Sequence, residues 1–206
     1  PDITFIKDYL EYIDISSNRI QNISAGYFKD VPNLGVVKAS FNYIRSIDQR
    51  AFSGTREIGL PLQLYFDTNS LTRLPQLLNF PEALTLLNVA NNKITHLPEI
   101  ELEQFVNLTE FIISDNPILL LPDLLSLLPS LTILNMDGLN FSCCGMQWLA
   151  QLQLKLGANL SCRGAVCSQP QLLTNQSWVS AAGIILMCPS KFISNRYAFG
   201  LGMRSK

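Results

Sequence analysis

An eleven-residue frame recurs along the first two thirds of this chain and decides what it can fold into. The frame is apolar at its first, fourth, sixth and eleventh positions and carries asparagine at the ninth. It opens as "LEYIDISSNRI" (10–20), with Leu10, Ile13, Ile15, Asn18 and Ile20 in those places. It returns as "LGVVKASFNYI" (34–44), "PLQLYFDTNSL" (61–71), "LTLLNVANNKI" (84–94), "LTEFIISDNPI" (108–118) and "LTILNMDGLNF" (131–141). Successive starts lie 24, 27, 23, 24 and 23 residues apart. The spacing inside the frame fits neither a plain alternating strand nor an amphipathic helix. A fixed period in the twenties instead marks a solenoid whose coils stack on one another.

The physics of stacking accounts for the frame. Fourth and sixth positions, such as Ile13 and Ile15, share one face of a short strand and point inward. The chain then turns, and the turn leaves backbone groups buried between coils, where they need hydrogen-bond partners. A side-chain amide is both donor and acceptor, so Asn18, Asn42, Asn69, Asn92 and Asn116 are expected to form a structural ladder. The sixth frame has Leu139 at that place. Five residues beyond each ladder position stand Ile23, Ile47, Leu74, Leu97 and Leu121, and Pro75, Pro98 and Pro122 follow the last three. Proline there predicts tight or extended backbone rather than long helices. Phe28, Phe52 and Leu102 are expected on the outer side, and three extra residues within "SGTREIGL" predict a bulge on the outside or rim.

The five cysteines, at 143, 144, 162, 167 and 188, all fall in the last third. Such crowding predicts a small disulfide-stapled unit joined to a cysteine-free one. Zinc is disfavoured because adjacent Cys143-Cys144 lacks the gap that lets two thiolates grip one ion, and His96 is far off. Five glycosylation sequons, at Asn22, Asn107, Asn140, Asn159 and Asn175, exceed the roughly two expected by chance and also favour an oxidising, extracellular compartment.

The frames closely resemble the extracellular leucine-rich repeat family of Slit and Toll-like receptor ectodomain type, and the cysteine segment resembles that family's C-terminal cap. The resemblance implies an α/β solenoid, a curved horseshoe with short parallel strands on its concave face and an irregular or 3-10 convex side. Its parts would be a lead-in (1–9), six repeats (10–141), a cysteine cap (142–189) and a tail or linker (190–206). "LNFSCCGMQWL" supplies Phe141, Cys143 and the Trp148-Leu149 pair of the cap helix, "CSQP" supplies Cys167, and "MCP" supplies Cys188. Family analogy then implies disulfides Cys143–Cys167 and Cys144–Cys188. Gly145 stands where the family has its second cysteine, so Cys144 would serve from a shifted position. Cys162 has no family counterpart and is left unpaired as an inert buried thiol, an alternative partner for Cys143 or Cys144, or an intermolecular link. Nothing matches the family's N-terminal cysteine cap. The first coil's apolar edge (Ile13, Ile15, Ile20) would then face water, so the chain is expected to be part of a longer polypeptide.

Outward strand residues tile the concave face. Candidate ligand-binding residues there are Tyr12, Asp14, Lys38, Phe41, Tyr65, Asp67, Asn88, Glu110, Ile112, Asn135 and Asp137. With Glu11 and Asp115 the face is acidic against Lys38 alone, although the chain's formal net charge is only -1. That predicts a protein or peptide partner with basic residues. A polar strand face on any soluble solenoid is the plainer explanation. The near-neutral balance argues against a nucleic-acid partner. No apolar run approaches the roughly 20 residues of a membrane helix. One histidine, no phosphate loop and no metal-spaced cluster argue against an enzyme, a cofactor or a metal site. Two functions remain. One is a non-catalytic recognition module that binds a protein or peptide through its concave face or rim; the other is a rigid glycosylated component of a matrix or secreted assembly, linked through Cys162.

Overall fold

The computed structural model describes residues 9–53, 61–78, 80–143, 146–169, 174–175 and 177. The strands, in chain order, are β1 (Tyr12–Asp14), β2 (Asn22–Ile23), β3 (Val36–Lys38), β4 (Ser46–Ile47), β5 (Leu62–Tyr65) and β6 (Leu84–Asn88). They continue as β7 (Glu110–Ile112), β8 (Ile133–Asn135), β9 (Asn140–Ser142), β10 (Leu160–Ser161) and β11 (Val166–Gln169). A parallel seven-stranded sheet runs β1-β3-β5-β6-β7-β8-β10, so each repeat contributes one strand and neighbouring repeats are neighbouring strands. This is the leucine-rich repeat solenoid implied by the frame. No helix among the described residues is long and apolar enough to cross a membrane.

The inward columns form one continuous core. Val37, Leu64, Leu87, Phe111 and Leu134 are fully buried at the fourth position, and Ala39, Phe66, Val89, Ile113 and Met136 at the sixth. Burying one side chain of this size contributes about 1.5–3 kcal/mol relative to exposure, so the columns dominate stability. In the first coil Ile13, Ile15 and Ile20 are only half-buried, packed against the core from one side. Phe28 and Phe52, on successive coils, are buried and stack with centroids 4.9 Å apart.

The ninth-position asparagines tie coil to coil. The Asn92 Nδ2 donates to Phe66, Val89 and Ala90 carbonyls, while its Oδ1 accepts from the Leu71 N–H. Asn42, Asn69 and Asn116 repeat the pattern, their Oδ1 atoms taking the amides of Ile20, Ile44 and Ile94. Asn18 has no earlier coil to serve. It is exposed and donates only to Ile15 and Ser16 of its own turn. The residue before each ladder position is left-handed: Ser17 (φ 57), Phe41 (φ 55), Thr68 (φ 55), Asn91 (φ 51), Asp115 (φ 53) and Gly138 (φ 69). This corner turns the strand into the flank and costs an ordinary L-residue roughly 1–2 kcal/mol.

Beyond the flank the chain returns through short pieces, as proline predicts. Helix α1 (Glu99–Leu102) starts directly after Pro98, and α2 (Leu124–Leu127) is capped by Asp123, whose side chain accepts from the Leu125 and Ser126 amides. Of the stretch 53–60, where the bulge is expected, all but Ser53 lies outside the described residues.

The C-terminal part carries the expected disulfide staple and also continues the sheet. Helix α3 (Gln147–Leu156) buries Leu149, Leu152 and Leu156, and Gly157 (φ 56) ends it. The chain then re-enters the main sheet as β10, with Leu160 opposite Leu134 and Ser161 opposite Asn135. Gly164 (φ 65) repeats the left-handed corner, and β11 pairs with β9, setting Cys167 opposite Phe141. The segment is a seventh coil. By the same count Cys162 takes the inward sixth position and Ala165 the ladder position. Cys162 is half-buried against the core, which is where a small apolar thiol belongs. Cys167 fills the eleventh position and bonds Cys143, with both fully buried. Cys144, Cys188 and the 190–206 tail lie outside the described residues.

Candidate ligand-binding face

The register sorts the outward residues into rows that run across the coils. One row is Tyr12, Val36, Gln63, Leu86, Glu110 and Ile133. The next is Asp14, Lys38, Tyr65, Asn88, Ile112, Asn135 and Ser161. Two residues on, by the same register, stand Ser16, Ser40, Asp67, Ala90, Ser114, Asp137 and Arg163. Adjacent strands lie about 4.8 Å apart, so side chains of one row touch or bridge their neighbours. Of the expected ligand-binding residues, all but Phe41 fall in these rows. Phe41 sits at the left-handed corner beyond them and is 60% exposed.

At one end Lys38 lies between two rings, its Nζ 5.4 Å from the Tyr12 centroid and 5.5 Å from that of Tyr65. The face's one expected cation is thus held over aromatic quadrupoles rather than paired to a carboxylate. Asp14 accepts the Ser16 amide at 2.9 Å and the Tyr12 hydroxyl at 3.2 Å. The bond from the Ser16 backbone, chiefly, holds its carboxyl below the ordinary value of 3.8, helped by the Ser16 hydroxyl, Tyr12 and the Lys38 charge. Burial pushes the Tyr65 phenol above its usual 10.0, and Glu110 adds to the rise. Asn88 and Asn135 repeat the turn made by Asp14, accepting the amides of Ala90 and Asp137 two residues on.

Two carboxylates are held differently. Asp67 Oδ1 accepts from the Ser40 hydroxyl at 2.6 Å and the Asn88 amide at 3.1 Å, so one oxygen is fixed from both neighbouring coils. Asp137 Oδ1 accepts from the Ser161 hydroxyl at 2.7 Å and the Arg163 backbone N–H at 2.6 Å. The second oxygen of each carries no hydrogen bond among the described residues. Three coils separate them, about 14 Å at strand spacing. Half-buried Glu110 stands on an intervening coil but in the first row, its carboxylate without a donor among the described residues. Ser40, which the frame count sets on this face, belongs to this arrangement, and so do Ser161 and Arg163, which the six frames do not reach. Ser161 and Arg163 become legible only when "LSCRGAVC" (160–167) is counted as a further frame with cysteine and alanine in place of leucine and asparagine.

All five sequon asparagines are exposed. Asn22 and Asn140 stand on the flank that follows the corner, and Asn107 and Asn159 stand just before strands on the opposite flank. Phe141 is fully buried beside Asn140, whose own side chain points out. His96 is exposed on the first flank, 2.9 Å from the Thr95 hydroxyl.

Fold, ladder and buried disulfide together define an extracellular leucine-rich repeat solenoid closed at its C-terminal end. Comparison with known proteins finds similarity to leucine-rich repeat proteins. The family model described as Leucine rich repeat matches residues 8–58. The chain is 26% identical to Nephrocan of Mus musculus over 181 residues, covering 87% of this chain and 34% of that protein. It is 37% identical to Mimecan of Mus musculus over 83 residues, covering 40% of this chain and 26% of that protein. It is 34% identical to Prolargin of Rattus norvegicus over 85 residues, with 40% of this chain and 21% of that protein covered. The chain therefore spans about a third or less of the length of these relatives. Among solved structures, one similar fold is the functional domain of InlJ from Listeria monocytogenes, with TM-score 0.53, 24% identity, and 76% of this chain and 30% of that chain covered. Another is in the octameric complex of Latrophilin 3, Unc5D and FLRT2 (LRR), with TM-score 0.58, 21% identity, and 84% and 60% covered.

Proposed function

We propose that this chain is a non-catalytic recognition module that binds a protein or peptide partner carrying basic residues on its concave face. The observation that supports this reading is the pair Asp67 and Asp137. Each is fixed through one oxygen by neighbouring coils and presents the other, so it can accept from an arginine or lysine with little loss of side-chain freedom. Half-buried Tyr65 and Ile112, with the exposed edges of Tyr12 and Ile133, offer apolar contact around them. The complex of Latrophilin 3, Unc5D and FLRT2 (LRR) is consistent with a protein-binding role for such a solenoid. Reading the chain instead as a matrix spacer linked through Cys162 meets an obstacle, because a thiol at the inward position reaches a second chain only if the seventh coil opens.

The test is association with an array of peptides graded from acidic to basic. Basic peptides are expected to be retained, and D67K/E110K is expected to slow their association at low salt about tenfold or more. Retention unrelated to peptide charge, or an on-rate unchanged in that variant, contradicts concave binding.

A further inference from the structure

The flank that follows the left-handed corner has a charge pattern opposite to that of the sheet. In the first four coils it comprises 18–23, 42–47, 69–73 and 92–96, and these stretches hold no aspartate or glutamate. They hold Arg19, Arg45, Arg73 and Lys93, one cation per coil, with His96 beside the last. All five side chains are exposed. Among the described residues the four cations make no side-chain hydrogen bond or ion pair within the chain. A solvated charge run on a neutral chain ordinarily mixes both signs; here the sign holds over four consecutive coils.

The flank is also rigid and ordered in space. The amides of Tyr43, Arg45, Ser70 and Lys93 donate to the carbonyls of Ile20, Gln21, Ile44 and Leu71 on the preceding coils. Asn22 pairs with Ser46 through β2 and β4, and His96 with Leu120. The cations therefore rise one coil at a time along the solenoid axis, roughly 4.8 Å per coil, and within their coils they stand at frame positions ten, twelve, thirteen and ten. Between them lie hydroxyls rather than acids (Ser46, Ser70, Thr72, Thr95), and Tyr43 exposes 58% of its surface.

We infer that this flank is a second binding site, which takes a sulfated linear polysaccharide laid across the coils. A narrow strip of cations, one per coil and free of acids, suits a linear polyanion better than a flat membrane, which would call for a broad basic patch. Hydroxyls and an exposed aromatic ring suit sugar hydroxyls and the apolar face of a pyranose. The extracellular setting supplies such polymers. The sequons on this flank, Asn22 and Asn140, stand at the first and sixth coils and leave coils two to five clear of sugar.

The experiment measures binding of a size-defined heparin oligosaccharide to the whole protein over a range of salt, beside its desulfated form and a single-stranded DNA of equal charge. The wild type is expected to bind the sulfated sugar with a log Kd against log salt slope of about 3, one released counterion per cation being worth roughly 0.7–0.9. R45Q/R73Q/K93Q should reduce the slope to about 1 and weaken binding tenfold or more. R45K/R73K should keep the slope, and D67N/D137N should not weaken binding. An unchanged thermal midpoint in the glutamine variant keeps folding out of the comparison, since none of its three side chains is buried. Equal binding of the DNA, equal binding of the desulfated sugar, or a slope unmoved in R45Q/R73Q/K93Q would each overturn the assignment.

Discussion

The middle of the solenoid and its C-terminal end solve one problem by different chemistry. Each turn leaves amides and carbonyls facing the next coil. In coils two to five an asparagine satisfies them, as Asn92 does with Phe66, Val89, Ala90 and Leu71. Leu139 and Ala165 hold the ladder position in the last two coils, and no side-chain amide is there to bridge them. Closure comes instead from the pairing of β9 with β11 and the buried Cys143–Cys167 disulfide. Both devices join one coil to the next over similar sequence separations, but the amide can be repeated in every coil while the disulfide needs a matched pair of cysteines.

Removing a ladder asparagine from the middle should have the largest effect. Asn92→Ala and Asn116→Ala each strand a buried amide and several carbonyls and should cost about 3–4 kcal/mol in chemical denaturation. Opening the end comes next. Cys143→Ser with Cys167→Ser removes a bond across a separation of 24 residues and should cost about 2–4 kcal/mol, read as a lower thermal midpoint. If the two orders reverse, covalent closure outweighs the ladder. Gly138→Ala should cost about 1–2 kcal/mol, since a Cβ at this left-handed corner runs into the Asp115 carboxylate. Trimming Asp115 to alanine in the same chain should relieve the clash alone, leaving the left-handed backbone cost in place. Asn18→Ala should cost under about 1 kcal/mol, because Asn18 is exposed and serves only its own turn. The smallest effect concerns pH. The lowered Asp14 carboxyl stabilises the fold above its unfolded pKa near 3.8, and that contribution fades as pH falls through the lower folded value. Asp14→Asn should flatten the acid limb of the stability profile slightly.

The first six coils were legible because their inward positions are apolar at fixed spacing, around an asparagine in the first five. The seventh was not, because Cys162, Ala165 and Cys167 take the places of leucine, asparagine and leucine. Cysteines invite a reading by disulfide spacing before one by register, and Gly164 at the corner is the signal that corrects it. On the concave face, counting from the frame named the rows. It could not show Lys38 held between Tyr12 and Tyr65, or Asp67 braced by Ser40 and Asn88, since those contacts join coils more than 20 residues apart. The basic flank escaped notice because a net charge of -1 averages two faces of opposite sign.

The sheet runs without a break into the cysteine segment, where Ser161 and Arg163 hold Asp137. Amide hydrogen exchange tests it directly. The Met136 and Gly138 amides donate to the Ser161 and Arg163 carbonyls, as those of Val89 and Asn91 donate to Ile112 and Ser114 in the middle. Met136 and Gly138 should be protected to the same degree as Val89 and Asn91 while the disulfide is intact, and should lose protection first when it is reduced. Fast exchange at Met136 and Gly138 with the disulfide intact would contradict the seventh coil and the site built on it.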